Sequence, residues 1–310
     1  MLAGPKEGRL INTLPSHLLG GGAALASAFL WALAAILFRR IGDDVSAMGI
    51  NLAKGLVALL CMGVLLWSGG LPAVDSTSLT ALALSGLVGI CFGDTLYFLT
   101  LVRLGPRRTL LLGALIPVVT GLVAVLVLGE RVPPLAWLGM TLTIAGVTWV
   151  LWQRTEADET PERHRSGLFF GLLFVAANAL GIIASKVGVA AMPALEATFI
   201  RQAWAIAGLT FWGLLVRDLL GWVAPLRDKR LLKVLLLAAV TGAFLGTWLS
   251  IVALKYTFVA VAATLNSTSP LFVLPLAALM LGERIRAREV LGAATAVGGV
   301  GFYFVSLGLG

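Results

Sequence analysis

Hydrophobic residues occur along this chain in long runs that are separated by short polar breaks. Each run holds roughly 20 predominantly apolar residues, the length that crosses the hydrocarbon core of a bilayer as an α-helix. The pattern therefore predicts ten transmembrane helices, numbered here as spans 1 to 10. Their expected bounds are 19–38, 46–68, 78–102, 108–128, 134–152, 167–190, 196–216, 231–254, 259–281 and 288–308.

The longest polar stretch, QRTEADETPERHRS, lies at the centre of the chain and predicts a division into two halves. The two halves resemble each other, and an internal repeat is the simplest explanation of that similarity. We therefore expect four parts in the chain. These parts are an N-terminal tail (1–18), a first repeat with spans 1 to 5 (19–152), a charged linker (153–166) and a second repeat with spans 6 to 10 (167–308).

Matching motifs support the repeat. LIPVVTGLVAVLVLGERV (115–132) aligns with STSPLFVLPLAALMLGERI (267–285) at an offset of 153 residues, which also matches Gly89 with Gly242 and Gly93 with Gly246. Five helices in each half place the second half upside down in the membrane. We therefore predict an all-α integral membrane fold of ten transmembrane helices as two inverted five-helix repeats, with a site near the midplane between them.

Two kinds of residue inside the spans bear on helix packing. The matched glycines form GxxxG pairs, and small residues at that spacing let membrane helices approach closely. Pro117 and Pro270 fall within spans 4 and 9, where a proline frees a carbonyl one turn back. Such a carbonyl is tolerated where protein or water satisfies it, so we expect both prolines to mark a gate or a helix kink beside a cavity.

Composition supports a membrane protein, because 59% of the residues are hydrophobic and only 12% are charged. A soluble domain carries about 25% charged residues. The formal charge of +8 does not indicate a nucleic-acid partner, since basic residues in membrane proteins mostly mark cytoplasmic loops. The first apolar run is longer than the core of a signal peptide, so we expect an uncleaved first helix.

Metal and enzyme chemistry find little support in the sequence. Cys61 and Cys91 lie in apolar runs, and His17 and His164 lie in the tail and the linker. We therefore expect no metal site and no cofactor. Asp94 is the only aspartate in a predicted span, whereas an intramembrane aspartyl protease needs two carboxylates in one site. We predict that the protein is not an enzyme.

Three ionisable residues stand out inside the predicted spans, away from the span ends where long side chains can reach the interface: Lys54 in span 2, Asp94 in span 3 and Arg201 in span 7. Such groups are costly in lipid and usually face a cavity or a partner. We interpret Asp94 first as the counter-ion of Lys54, second as a contact for a substrate amine and third as a proton carrier. Arg201 is then the unpaired cation and the candidate for binding a substrate anion, with an interfacial arginine as the alternative.

Further residues are candidates for lining a polar cavity around these charges, because aromatic walls with a few polar groups are typical of small-molecule sites. The alternative for each tryptophan is ordinary packing or an interfacial belt. The candidate substrate-binding residues beyond the three charges are Tyr97, Asn178, Asn266, Ser267, Thr268, Trp31, Trp204 and Trp248.

Two five-helix repeats, each of which ends its fourth helix in LGER and continues into a glycine-bearing fifth helix, resemble the EamA domain. The sequence is similar to ten-helix members of the drug/metabolite transporter superfamily over about residues 19–308. The resemblance implies a metabolite transporter, often an exporter of amino acids or related small polar compounds. It implies neither one substrate nor one coupling ion.

We therefore expect a secondary transporter that exports small polar metabolites by alternating access, with amino acids, similar zwitterions and organic anions as the first candidates. The alternative is a channel-like facilitator, or a translocator of lipids or drugs, on the same fold. The expected partners are a small-molecule substrate and the lipid bilayer, with protons as a candidate coupling ion. Monomer and homodimer both stay open, and we expect a multi-pass protein of the inner (cytoplasmic) membrane.

The distribution of basic residues predicts the orientation. The odd-numbered loops hold sixteen Lys and Arg residues, whereas the N-terminal tail and the even-numbered loops hold five. The positive-inside rule then places the odd loops in the cytoplasm and both termini outside. Members of the family that the sequence resembles often have both termini inside. A reporter fused after Gly310 is expected to be active in the periplasm, and activity confined to the cytoplasm would contradict the charge count.

Overall fold

The computed structural model describes residues 16–67, 74–113, 115–128, 160–190, 192–257 and 268–282. It also describes single residues or pairs between 137 and 149, at 262, 265 and 266, and between 287 and 302.

Every regular element in these ranges is helical. Two π-helical segments, π1 (Ser85–Phe92) and π2 (Ala239–Gly246), join consecutive α-helices, and a 3-10 turn (Ala224–Arg227) follows α8. The α-helices are α1 (Ser16–Ile41), α2 (Ala47–Leu66), α3 (Ser76–Leu84), α4 (Gly93–Gly113), α5 (Ile116–Leu128), α6 (Pro161–Val189), α7 (Ala194–Leu215), α8 (Leu219–Val223), α9 (Lys229–Ala238), α10 (Thr247–Tyr256) and α11 (Ser269–Leu281).

The predicted all-α membrane fold is confirmed. In the described part of the chain, five helical runs are long and apolar enough to cross a membrane: 19–41, 47–66, 76–113, 161–189 and 229–256. They correspond to spans 1, 2, 3, 6 and 8. Span 7 is the 22-residue helix α7, and α5 and α11 are helices of 13 residues in spans 4 and 9. Most of spans 5 and 10 lies outside the described residues.

Polar side chains explain where several helices begin. The side chain of each N-cap residue accepts a hydrogen bond from a backbone N–H of the first turn, which has no partner within the helix. Asp75 caps α3 in this way, and hydrogen bonds from the Ser78 hydroxyl and amide hold the pKa of Asp75 below its ordinary value. The other caps of this kind are Ser46 on α2, Thr160 on α6 and Asp228 on α9.

Two glycines mark boundaries of the spans. Gly105 has φ 76° and ψ 170°, a conformation open essentially only to glycine, and it divides α4 where span 3 gives way to span 4. Gly282 ends α11 in the left-handed conformation, with φ 69°. The glycine of the second LGER motif is thus a helix C-cap, a position that strongly favours glycine.

The two matched prolines are placed differently from the expectation that they lie within continuous helices. Pro117 is the second residue of α5, and Pro270 is the second residue of α11. A proline in the first turn of a helix lacks only an N–H that would have no partner within the helix. Helix α4 ends at Gly113 and α5 begins at Ile116, so span 4 is divided just before its proline instead of being kinked by it.

Both repeats contain a π-helical segment of eight residues at matching positions. Segment π2 begins 154 residues after π1, within one residue of the offset that aligns the glycines. The wider π turn changes which carbonyls are bonded within the helix. Side chains from other helices supply bonds here: the Trp31 indole donates to the carbonyl of Gly242 (3.2 Å), and Ser27 Oγ donates to that of Gly246 (2.8 Å).

The two repeats pack on each other in a crossed arrangement. Helix α1 of the first repeat packs against π2 of the second, and α6 of the second packs against π1 of the first. The contacts are close because the residues are small. A Cβ atom added at Gly181 on α6 would lie only 2.7 Å from the Cα of Gly89, and one at Gly242 would lie 2.5 Å from the Cβ of Ala34.

Long basic side chains join the ends of neighbouring helices. Arg40 donates to the carbonyl of Met280 in the last turn of α11 (2.7 Å), and Lys186 donates to the carbonyls of Leu254 and Thr257 at the end of α10 (2.7 and 2.9 Å). A cation at a helix C-terminus is favourable, because the last carbonyls carry partial negative charge. These contacts therefore anchor α1 to α11 and α6 to α10.

Gly181→Ala is expected to lower the free energy of unfolding by about 1–3 kcal/mol, because the added methyl group meets the backbone of Gly89. Gly22→Ala is the matched control, since a Cβ there has no neighbour within 4 Å. Thermal unfolding of both variants in detergent measures the difference. Equal midpoints would contradict the close packing of π1 on α6.

Candidate functional site

A cavity of about 160 Å³ lies between the repeats, and both repeats line it. This volume is similar to that of a cavity that binds benzene, and it lies below the range of pockets for drug-sized ligands. Its walls are largely aromatic and aliphatic. The polar and charged side chains in the lining are Lys54, Asp94, Tyr97, Asn178, Ser185, Arg201, Thr247, Ser250, Asn266 and Ser269.

Lys54 and Asp94 form an ion pair at the cavity wall. The Nζ atom of Lys54 on α2 lies 2.5 Å from Oδ2 of Asp94 on α4. The Lys54 side chain is only 7% exposed and that of Asp94 is 26% exposed, so each charge depends on the other for the interactions that water would otherwise provide. Nζ also lies 5.6 Å from the centre of the Phe98 ring, whose face attracts a cation.

Asn51 holds the helix that carries Lys54 against the segment that leads to Asp94. Its Nδ2 atom donates to the carbonyls of Ile90 and Cys91 (2.9 and 3.3 Å) and to the hydroxyl of Thr95 (2.9 Å). Sequence reasoning did not single out Asn51. The available signal was an amide inside an apolar span, one turn before the buried lysine.

Arg201 is a cation without a counter-ion in the described part of the chain. Its Nε atom is buried and has no hydrogen-bond partner there, and the two ion pairs found among the described residues are Lys54–Asp94 and Arg39–Asp43. The glycines of π1 make room for Arg201. Gly86 packs on the Arg201 carbonyl, and a Cβ at Gly89 would lie 3.6 Å from Nη2 of the guanidinium.

Asn178 on α6 brings a second unpartnered donor to the cavity. Its Nδ2 atom is buried without a hydrogen-bond partner among the described residues. A Cβ at Gly93 would lie 2.9 Å from this atom. Gly89 and Gly93 are four residues apart, so the Arg201 guanidinium and the Asn178 amide approach neighbouring turns of the same helical run.

Part of the lining is polar but uncharged. Asn266 Nδ2 donates to Ser250 Oγ on α10 (2.9 Å), and Ser269 Oγ donates to the Asn266 carbonyl (2.8 Å). The Oδ1 atom of Asn266 is buried and has no partner in the described structure. Ser250 was missed in the sequence. Its available signal was its alignment with Tyr97 at the 153-residue offset.

The remaining predicted site residues divide into two groups. Tyr97 and Trp31 line the cavity. The Tyr97 ring packs between Phe98 and Phe174, with ring centres 5.1 and 5.3 Å away.

The other predicted residues lie away from the cavity lining as it is described. Trp204 is 40% exposed, and Trp248 stacks on Phe244. Thr268 is buried and donates to the Leu265 carbonyl at the start of α11, and Pro270 is buried beside it. Ser267 and the side chain of Pro117 lie outside the described residues.

Comparison with known proteins agrees with this architecture. The sequence profile of the EamA-like transporter family matches the chain twice, at 18–152 and 165–305. An uncharacterized transporter of Archaeoglobus fulgidus is 27% identical over 275 residues, which cover 87% of this chain and 92% of that protein. A crystal structure with 16% sequence identity has the same fold, with a TM-score of 0.71 over 92% of this chain and 96% of the other.

The family profile covers most of the chain in two copies, one on each side of the central linker. The helices and the crossed packing of the two repeats are those of a multi-pass membrane protein. The protein therefore belongs to the EamA-like transporter family and is a membrane transporter.

Proposed function

We propose that the protein is a secondary transporter that exports small polar metabolites with an anionic group. Amino acids, similar zwitterions and organic anions are the first candidates. The observation that carries the proposal is the Arg201 guanidinium, which lines the cavity with a buried Nε–H that has no partner among the described residues. A planar guanidinium matches the geometry of a carboxylate, and the nearby Asn178 amide supplies a further donor.

The formal charges of the cavity support an anionic substrate. Lys54 and Arg201 each contribute a positive charge, and Asp94 contributes one negative charge that Lys54 already neutralises. The lining, as far as the structure describes it, therefore carries a formal charge of +1. A buried charge without a partner is unfavourable, so a monoanion that binds Arg201 would supply the missing partner.

Asp94 offers a place for a substrate amine. Lys54 contacts only Oδ2 of the carboxylate, and the side chain is 26% exposed. The other oxygen is then available to accept a hydrogen bond from an ammonium group. An amino acid could thus be bound at both ends, with its carboxylate at Arg201 and its ammonium at Asp94. A proton-carrying role for Asp94 ranks behind this one and behind its role as counter-ion.

Alternating access is the mechanism that fits a site between two repeats. In transporters built from inverted repeats, one repeat rocks against the other around a central site. The small residues at the crossed contacts, such as Gly89 and Gly181, present smooth surfaces for such a movement. Export and a place in the inner membrane belong to the same proposal and are supported by the family resemblance.

Arg201→Ala is expected to weaken binding of anionic substrates about 10- to 100-fold, because a charge-assisted hydrogen bond contributes about 1.5–3 kcal/mol. Lys54→Ala should also weaken binding. Trp204→Ala is the matched control, since Trp204 lies one turn beyond Arg201 on the same helix and does not line the cavity as described. A thermal-shift screen of the purified protein against amino acids, organic anions and organic cations identifies the ligand. Unchanged affinity in both cavity variants would show that the site assignment is wrong.

Removing one partner of the Lys54–Asp94 pair is expected to destabilise the fold by about 3 kcal/mol, because it leaves the other charge buried alone. The double variant Lys54→Met with Asp94→Asn should recover a large part of this loss. Thermal unfolding of the wild type, both single variants and the double variant gives the coupling energy. Additive effects would contradict a direct pair.

Asp94→Asn also tests the proton-carrier interpretation. If Asp94 carries the proton, the variant loses its response to a pH gradient in liposomes. A full response in the Asp94→Asn variant would exclude that role and leave Asp94 as a counter-ion or amine contact.

Flux through liposomes separates the transporter from the channel-like alternative. Alternating access predicts flux that saturates with substrate concentration and that an unlabelled substrate competes away. Flux that rises linearly over the same range would favour the facilitator.

A further inference from the structure

The lining of the cavity also contains a fixed amide. Asn266 Nδ2 donates to Ser250 Oγ at 2.9 Å, and Ser269 Oγ donates to the Asn266 backbone carbonyl at 2.8 Å. Ser250 is buried, and all three residues line the cavity. The amide is thus held in position, yet its Oδ1 atom is buried and has no partner in the described part of the chain. A buried acceptor without a partner is unfavourable unless something else satisfies it.

The Asn266–Ser250 pair leaves both a donor and an acceptor unused. Ser250 Oγ accepts from the amide, so its own hydrogen is available, and Asn266 Oδ1 is an open acceptor. If the amide were turned over, Ser250 would donate to Oδ1 and the Nδ2 donor would be left open. Either orientation therefore presents at least one donor and one acceptor to the cavity.

The two repeats contribute different polar groups at two matched positions of the lining. Asp94 aligns with Thr247 and Gly113 aligns with Asn266 at the same offset of 153 residues. The first repeat thus contributes a carboxylate where the second has a hydroxyl, and the second contributes an amide where the first has no side chain. The charged groups come from α2, α4 and α7, whereas α10 and the start of α11 contribute neutral polar groups.

We propose that Asn266 and Ser250 form a second subsite, which binds an uncharged group of the substrate that both donates and accepts a hydrogen bond. A hydroxyl or a primary carboxamide meets this requirement. The inference rests on the proposed anion site at Arg201 and narrows its substrate to a small anion or zwitterion with an additional neutral polar group.

The subsite acts on specificity. When an analogue lacks the hydroxyl, the buried donor and acceptor stay unpaired in the complex, and the protein bears that penalty. A site that hydrogen-bonds a hydroxyl therefore discriminates strongly against the analogue that lacks this hydroxyl. An apolar site discriminates less strongly against a compound that carries an additional hydroxyl. We expect a preference of at least about tenfold for the hydroxylated compound of a matched pair.

Matched ligands test this subsite directly. L-serine is compared with L-alanine, and 3-hydroxybutyrate with butyrate, by calorimetric or thermal-shift titration of the purified full chain. The wild type is expected to bind the hydroxylated compound of each pair at least about tenfold more tightly. Asn266→Leu and Ser250→Ala are each expected to abolish this preference, because each removes one side of the donor–acceptor pair that binds the hydroxyl.

Thr241→Val is the matched control, because the Thr241 hydroxyl donates to the Leu237 carbonyl of its own helix and does not line the cavity as described. It should keep the full preference. Equal binding of the paired compounds by the wild type, or a preference that survives in both Asn266→Leu and Ser250→Ala, would overturn the subsite. Two variants at different positions guard against one that fails to fold.

Arg201→Ala separates this inference from the proposed anion site. If Arg201→Ala weakens all four compounds equally and the wild type shows no hydroxyl preference, the anion site stands and the subsite falls. If the preference depends on Asn266 but Arg201→Ala binds like the wild type, the subsite stands and the anion site falls. Binding of none of the four compounds would exclude a substrate of this kind.

Discussion

The close approach of π1 to α6 is the contact on which the site depends. Gly89 and Gly181 meet backbone to backbone, and no larger residue fits at Gly181 without moving a helix. This contact places the first helix of one repeat on the third span of the other. Gly89 also packs near the Arg201 guanidinium, and Gly93, one turn later, packs near the Asn178 amide. The surface that joins the repeats therefore also positions two groups that line the cavity.

The polar side chains around the cavity are satisfied to different degrees. Asn51 and Trp31 use their donors on carbonyls of the π segments, and Lys54 uses its charge on Asp94. Arg201, Asn178 and Asn266 each keep a buried atom without a partner among the described residues. In a low-dielectric interior such groups are unfavourable. Side chains that have partners stabilise the structure, whereas those that keep an unpartnered atom are the ones that we propose for binding a solute. Both proposals rest on this difference.

Much of the fold could be predicted from the chain alone. Span lengths depend on runs of apolar residues, and the repeat depends on motifs at constant spacing, so both are local or periodic properties that a sequence displays. The positions of Pro117 and Pro270 show the limit. Their occurrence inside apolar runs suggested continuous helices with a kink, whereas the structure ends one helix and starts another just before Pro117, and begins α11 one residue before Pro270. When two consecutive helices both remain in the membrane, the apolar run continues across the break between them, so the sequence pattern does not reveal that break.

The candidate site was predictable in part. Charged residues inside apolar spans must face a partner or a cavity. Lys54, Asp94 and Arg201 could therefore be selected from the sequence alone, and all three line the cavity. Trp204 and Trp248 do not line it as described, because the direction in which a helical side chain points depends on the rotation of the helix against its neighbours. Ser250 was missed because a serine in a membrane helix usually bonds to its own backbone.

The sequence by itself determined the all-helical membrane fold, the duplication and the presence of three charges that lipid alone cannot accommodate. Those features follow from the hydrophobicity and the spacing of residues within each half of the chain. Only the tertiary structure decided which charge is paired and which buried donors and acceptors stay without a partner among the described residues. These properties arise where helices from different repeats meet, and the distances across that interface depend on packing that no local pattern records.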